Sequence, residues 1–314
     1  MLHLFQKEPK DKPDPTDDII VIKKTEPNTC GGTDAIIDRR FPRTILSDEP
    51  IFFSVTSALP SAISDSGEDR LGYLSAFAAP AGEGCFLFLS TGERFAQRDE
   101  KTNTWALVKK DLFPELAALI READFAANNG FHSTTHGLPE NFGGSISIHY
   151  ASGEKISISD NQSPVCSAEI GRKIVALFTE TMKGEKIPLP APEDLQAIRF
   201  CEERNNDGFC RAALTLREDG TAVNERTQKF SDTQIYESRK EVDAGTVAEL
   251  KKVIADCALF AWGLLPQSAF AFGHDKTLTF VMKNGKEITV PNHQTVPEQL
   301  KNGFFQIELE MAHH

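Results

Sequence analysis

One pattern occurs twice in this chain and limits its fold more than any other feature. Gly144 to Asp160 reads as a β-hairpin, and Lys276 to Asn292 reads as a second hairpin of the same design. In the first, Ile146, Ile148 and Tyr150 alternate with Ser145, Ser147 and His149, and across the turn Ile156 and Ile158 alternate with Ser157 and Ser159. In the second, Leu278, Phe280 and Met282 face Ile288 and Val290. A period of two puts the apolar set on one side of a strand and the polar set on the other. Gly153 marks the first turn; Asn284-Gly285 marks the second and tolerates positive φ at both central positions. The turn glycines are 285 − 153 = 132 residues apart. This predicts a tandem duplication whose sheets each have one wet face and one face that needs a cover.

The remaining elements fit that frame. Ile19–Ile22, Ile51–Thr56, Gly72–Phe77, Phe86–Leu89 and Trp105–Val108 read as strands, with a turn at Gly92. A helix is expected over Leu112–Asn129, with Asp111 as cap, Pro114 in its first turn and Gly130 at its end. A second helix covers Ser167–Met182. After a proline-rich stretch come strands at Ala197–Cys201, Phe209–Leu216 and Ile235-Tyr236, with a turn at Asp219-Gly220. Then Thr246-Val-Ala-Glu249 opens a helix over Val247–Ala261 as a capping box. Gly92 and Gly220 lie 220 − 92 = 128 residues apart, close to the hairpin spacing. At the end, Phe304–Met311 alternates and reads as a closing strand, with a single helical turn before it at Pro297–Lys301.

The fold class is therefore α+β, two antiparallel two-layer units with helices over their apolar faces. The expected division is an arm and short strand at 1–50, a first repeat at 51–183, a linker at 184–196 and a second repeat at 197–314. A chain of 314 residues fits roughly two domains and buries about 70–75% of its unfolded surface without needing disulfides.

Charge and cysteines narrow the function classes. The balance of 34 basic to 46 acidic residues gives −12, which repels phosphate backbones and argues against nucleic-acid binding. None of the six cysteines forms a C-x-x-C pair, and Cys85, Cys166 and Cys257 sit in apolar surroundings as small core residues. With no signal peptide and no apolar run of membrane-spanning length, a reducing cytoplasmic setting is expected.

Chemistry is sparse. The stretch 128–144 carries His132, His136 and Glu140 in a Gly-rich polar loop that has no equal in the second copy. As metal ligands those three would suit zinc. As loop residues they would bond their own backbone, and that reading is preferred. Asp160 and Asn161 leave the first hairpin as ligand-binding candidates, although Asx-rich exits commonly form turns. Cys30, in Thr-Cys-Gly-Gly-Thr, is a second candidate, a thiol beside free glycine amides. There is no G-x-S-x-G, P-loop or dinucleotide fingerprint.

Thr29–Ala35, Asn129–Asn141 and Tyr150–Ser157 resemble segments of an uncharacterised group of cytoplasmic proteins from anaerobic Gram-positive bacteria. That resemblance implies a bacterial cytoplasmic protein and carries over no catalytic residue. The favoured reading is a non-catalytic binding or scaffold protein with no cofactor, taking a protein or small-molecule partner and allowing a homodimer. The alternative is a metal- or cysteine-dependent hydrolase centred on 131–144.

Overall fold

The computed structural model describes residues 18–27, 31–60, 71–93, 102–138, 142–203, 208–231, 233–265, 276–292 and 296–312. In chain order the elements are β1 (Ile19–Lys23), β2 (Thr33–Asp38), β3 (Pro50–Pro60), β4 (Leu71–Ala81), β5 (Gly84–Glu93), β6 (Thr102–Val108) and α1 (Phe113–Glu122). β7 (Phe131–Thr135), β8 (Gly144–Tyr150), β9 (Lys155–Asp160) and α2 (Ala168–Thr181) follow. The last part holds β10 (Leu195–Glu203), β11 (Phe209–Leu216), β12 (Ala222–Ser231), β13 (Gln234–Val242), α3 (Ala244–Asp256), α4 (Leu259–Trp262), β14 (Lys276–Met282), β15 (Glu287–Pro291) and α5 (Glu298–Ala312). The fold is α+β with two antiparallel-rich sheets. One has nine strands in the order β1-β2-β7-β9-β8-β3-β4-β5-β6; the other has six, β13-β12-β11-β10-β14-β15. Among the described residues no helix is long and apolar enough to cross a membrane.

The chain forms two compact units. The first takes Met1–Ala76, Ser90–Thr102 and Phe113–Leu177; the second takes Phe77–Leu89, Asn103–Leu112 and Phe178–His314.

In the first unit the apolar members of the hairpin are buried as the period-two pattern requires: Ile146 and Ile148 are at most 1% exposed, and Ile156 joins them. Phe53 pairs with Ile148 and Val55 with Ile146, so β3 adds to the same face. Leu116, Ala117 and Ile120 of α1 are buried, and α1 packs on β3. α1 is shorter than expected: it stops at Glu122, Asp124 takes φ 46, and a 3-10 turn covers Phe125–Asn128. The Gly-rich end of the 128–144 loop has a steric reason. A Cβ on Gly143 would lie 1.7 Å from the carbonyl oxygen of Asp160, and one on Gly144 would lie 2.0 Å from that of Thr56.

In the second unit, Ile198 and Phe200 of β10, Leu214 of β11 and Phe280 of β14 form one buried face. α5 covers it, packing on β10, β11 and β12 with Leu300, Phe304, Ile307 and Met311 at most 3% exposed. This corrects the expected strand at Phe304–Met311. The segment supports both periods, but the spacing 300, 304, 307, 311 is helical, and Phe305 and Leu309 lie outward at 45% and 53% exposure. The Asn224 side chain donates to the Met311 carbonyl at 3.0 Å, satisfying one of the carbonyls that a helix end leaves open. Lys276, opposite Glu202 on β10, reaches Glu308 of α5 at 2.7 Å and Glu202 at 3.4 Å.

Other expectations need revision. α3 begins earlier than the Thr246 capping box predicts: the side chain of Asp243 accepts the amides of Gly245 and Thr246 at 2.8 and 3.1 Å. Ala258, at φ 55, breaks the expected single helix into α3 and α4. The β4–β5 turn falls at Gly82, φ 58, while Gly92 lies inside β5, so the 128-residue spacing does not compare two turns. The strands β2 and β12 have no counterpart in the sequence pattern, and β7 occupies the start of the supposed loop 131–144.

Candidate functional site

The sequence-derived candidates sit where the nine-stranded sheet continues past the hairpin. β7 runs antiparallel to β2 and parallel to β9, which places His132 opposite Ile36 on one side and beside Ser159 on the other. His132 Nδ1 lies 2.9 Å from Ser159 Oγ, and its ring meets Phe41 edge-on with centroids 6.5 Å apart. Burial pushes the His132 imidazole below its ordinary pKa, a little offset by the charge of Asp38. His136 pairs instead with Asp34, Nε2 to Oδ2 at 3.0 Å. The two histidines thus have different partners.

Asp160 accepts the amides of Gln162 and Ser163 at 2.7 and 2.8 Å, an Asx turn. Asn161 accepts from the Thr135 amide at 2.8 Å and donates to the Thr135 carbonyl at 2.9 Å, acting as an extra pairing step at the end of β7. Glu140 and Cys30 lie outside the described residues. Among the described residues no group of three or more His, Cys, Asp or Glu is placed to hold a metal. Burial raises the thiol of Cys85, to about 12, and those of Cys166 and Cys257.

The larger concavity lies in the second unit, on the side of the six-stranded sheet opposite α5. Its geometry follows from register. Cys201 pairs with Arg211, Arg211 with Thr227 and Thr227 with Glu237. In the next row Arg199 pairs with Ala213, Ala213 with Glu225 and Glu225 with Arg239. Directly opposed residues share a face, so the small side chains Cys201, Ala213 and Thr227 floor a hollow of about 700 Å³ rimmed by arginines and glutamates. That volume is in the range of small-molecule sites.

The arginines differ in what holds them. Arg199 is bound to Glu287 at 2.9 Å, and Arg239 to Glu225 at 3.5 Å. Arg211 stacks over the Phe209 ring, 4.5 Å from its centroid, and has no carboxylate partner among the described residues. A guanidinium fixed by an aromatic face, with its donor fork open, suits a carboxylate. The signal for this face was present in the sequence: Arg211, Ala213 and Thr215 alternate with Cys210, Ala212 and Leu214. The first unit has a smaller cleft of about 280 Å³ between residues 43–48 and α1, with Arg121 and Tyr150 in its wall.

Comparison with known protein families gives no match to the chain, and comparison with curated proteins gives none either.

Proposed function

We propose that the protein is a non-catalytic binding protein whose ligand, a small carboxylate-bearing molecule, seats in the hollow of the six-stranded sheet. The observation that carries this reading is Arg211, stacked on Phe209 and open toward a concavity floored by Cys201, Ala213 and Thr227. Glu225 and Glu237 on the same rim would take a ligand amine or hydroxyl, so molecules bearing both groups should bind best.

The test is NMR titration of the whole protein with succinate and with glutamate. Resonances of β10 to β12 are expected to shift, and Arg211→Ala should weaken binding by about 1.5–3 kcal/mol, the range for hydrogen bonds to charged groups. Arg211→Lys should weaken it as well, since an ammonium lacks the planar fork. Shifts spread evenly over the surface, or unchanged affinity in Arg211→Ala, would remove the proposal.

The reading includes a duplicated ancestry, with repeats at 51–183 and 197–314. In its favour, the order β9-β8-β3-β4-β5-β6 within the larger sheet has the same form as β15-β14-β10-β11-β12-β13. Left-handed non-glycine residues also follow α1 and α3, Asp124 and Ala258, 258 − 124 = 134 residues apart.

A further inference from the structure

β13 is the outermost strand of the six-stranded sheet, nine residues long, and its strand partner among the described residues is β12. Every residue from Gln234 to Glu241 is exposed, including Ile235 at 54% and Tyr236 at 60%. The other sheet ends differ. β1 and β15 have five residues each, and β15 ends in Pro291. Beside β6, Val108 bridges to Lys186 and the Leu107 carbonyl accepts the Ile187 amide at 2.9 Å. A long open edge offers a row of backbone donors and acceptors to any strand that fits. Charged side chains restrict which strand that is, because like charges directly opposite destabilise a pair.

The sequence of β13 is complementary to itself in one register. With a twofold axis through Ser238, Glu237 faces Arg239 of the other copy and Arg239 faces its Glu237. Both contacts lie on the face that carries Arg211 and Glu225. On the opposite face Tyr236 meets Lys240, whose aliphatic stem can cover the ring. Phe230, 51% exposed and 5.9 Å from Tyr236 between ring centroids, extends that apolar patch. Moving the axis to Glu237 sets Glu237 against Glu237; moving it to Arg239 sets Arg239 against Arg239 and Glu237 against Glu241. Pairing about Ser238 keeps helices on one side and the hollows on the other, and it closes as a dimer.

We propose that a second copy of this chain pairs antiparallel with β13 about Ser238, joining two six-stranded sheets into one of twelve strands. The test is the mass in solution of the full chain and its charge-reversed variants, by sedimentation over a concentration series, with circular dichroism as the folding control. The native chain is expected to dimerise. Glu237→Arg and Arg239→Glu should each weaken association by about tenfold or more, since each sets like charges across the seam. An equimolar mixture of the two variants should pair again, because the introduced arginine of one copy then meets the introduced glutamate of the other. The double variant Glu237→Arg/Arg239→Glu should dimerise by itself. A native chain that stays monomeric, single variants as dimeric as the native chain, or a mixture that does not associate would each overturn the proposal. Misfolding of one variant would not imitate rescue on mixing.

Discussion

His149 shows how burial can shift the titration of one side chain. It lies on the serine side of β8, paired across the sheet with Phe52, and its ring sits tilted against that phenyl group with centroids 4.8 Å apart. Burial, assisted by the charge of Lys155 on the facing strand, pushes its imidazole down to about 4. Native His149 is therefore neutral at pH values where the unfolded chain already binds a proton. Stability from this residue is complete above about pH 6.5, the ordinary histidine value, and is lost as pH falls from there toward 4. Urea midpoints measured between pH 7 and 4 should fall with acidity, and His149→Gln should flatten the slope in that window. His132, also lowered by burial, leaves a remainder. A slope identical in the variant would mean that the ring is not desolvated as described.

At the level of elements, α5 is where the sequence pattern misleads, and it offers a direct check. A strand would put Ile307 and Leu309 on the same face; the helix buries Ile307 completely and leaves Leu309 53% exposed. Ile307→Ala should cost about 2–5 kcal/mol, the usual loss for a large aliphatic core residue. Leu309→Ala should stay within about 0.5 kcal/mol, as surface changes do. Denaturant unfolding of both variants reads the difference, and equal losses would contradict the helix.

The same comparison shows what is legible. The hairpins, α2 and β11 are readable because their apolar periods admit one interpretation. Phe304–Met311 is not, since Phe305, Ile307 and Leu309 make a strand period while Leu300, Phe304, Ile307 and Met311 make a helical one. β2 and β12 are hidden by polar residues that only their folded surroundings explain, such as Asp38, which Arg40 holds through paired hydrogen bonds. The alternation of β11 marks the face, but no single segment spells out the hollow, because its members come from four strands. The conspicuous histidines and Asx residues of the first unit are tied to nearby strands and turns.

At the scale of the whole molecule, each compact unit gathers stretches that are separated in sequence. The second unit includes Phe77–Leu89 and Asn103–Leu112, which precede the expected linker by many residues. The Gly82 amide donates to the Leu264 carbonyl at 3.2 Å, and the Lys109 amide to the Glu185 carbonyl at 2.9 Å, so these early segments are bonded to later parts of that unit. A fragment of residues 184–314 would lack both. It is expected to be unfolded or aggregated, while the full chain folds; heteronuclear NMR of the fragment decides, and a dispersed spectrum would show that 77–112 is dispensable.

Asp124 and Ala258 adopt a backbone geometry that most side chains avoid, at a cost of about 1–2 kcal/mol per residue. Glycine at either place would remove that penalty. The bends set the heading of Phe125 and of Leu259–Trp262, all buried. What looks like a local defect therefore works as a steering joint, and a redesign that straightened it would gain at the joint and misdirect the aromatic cargo beyond.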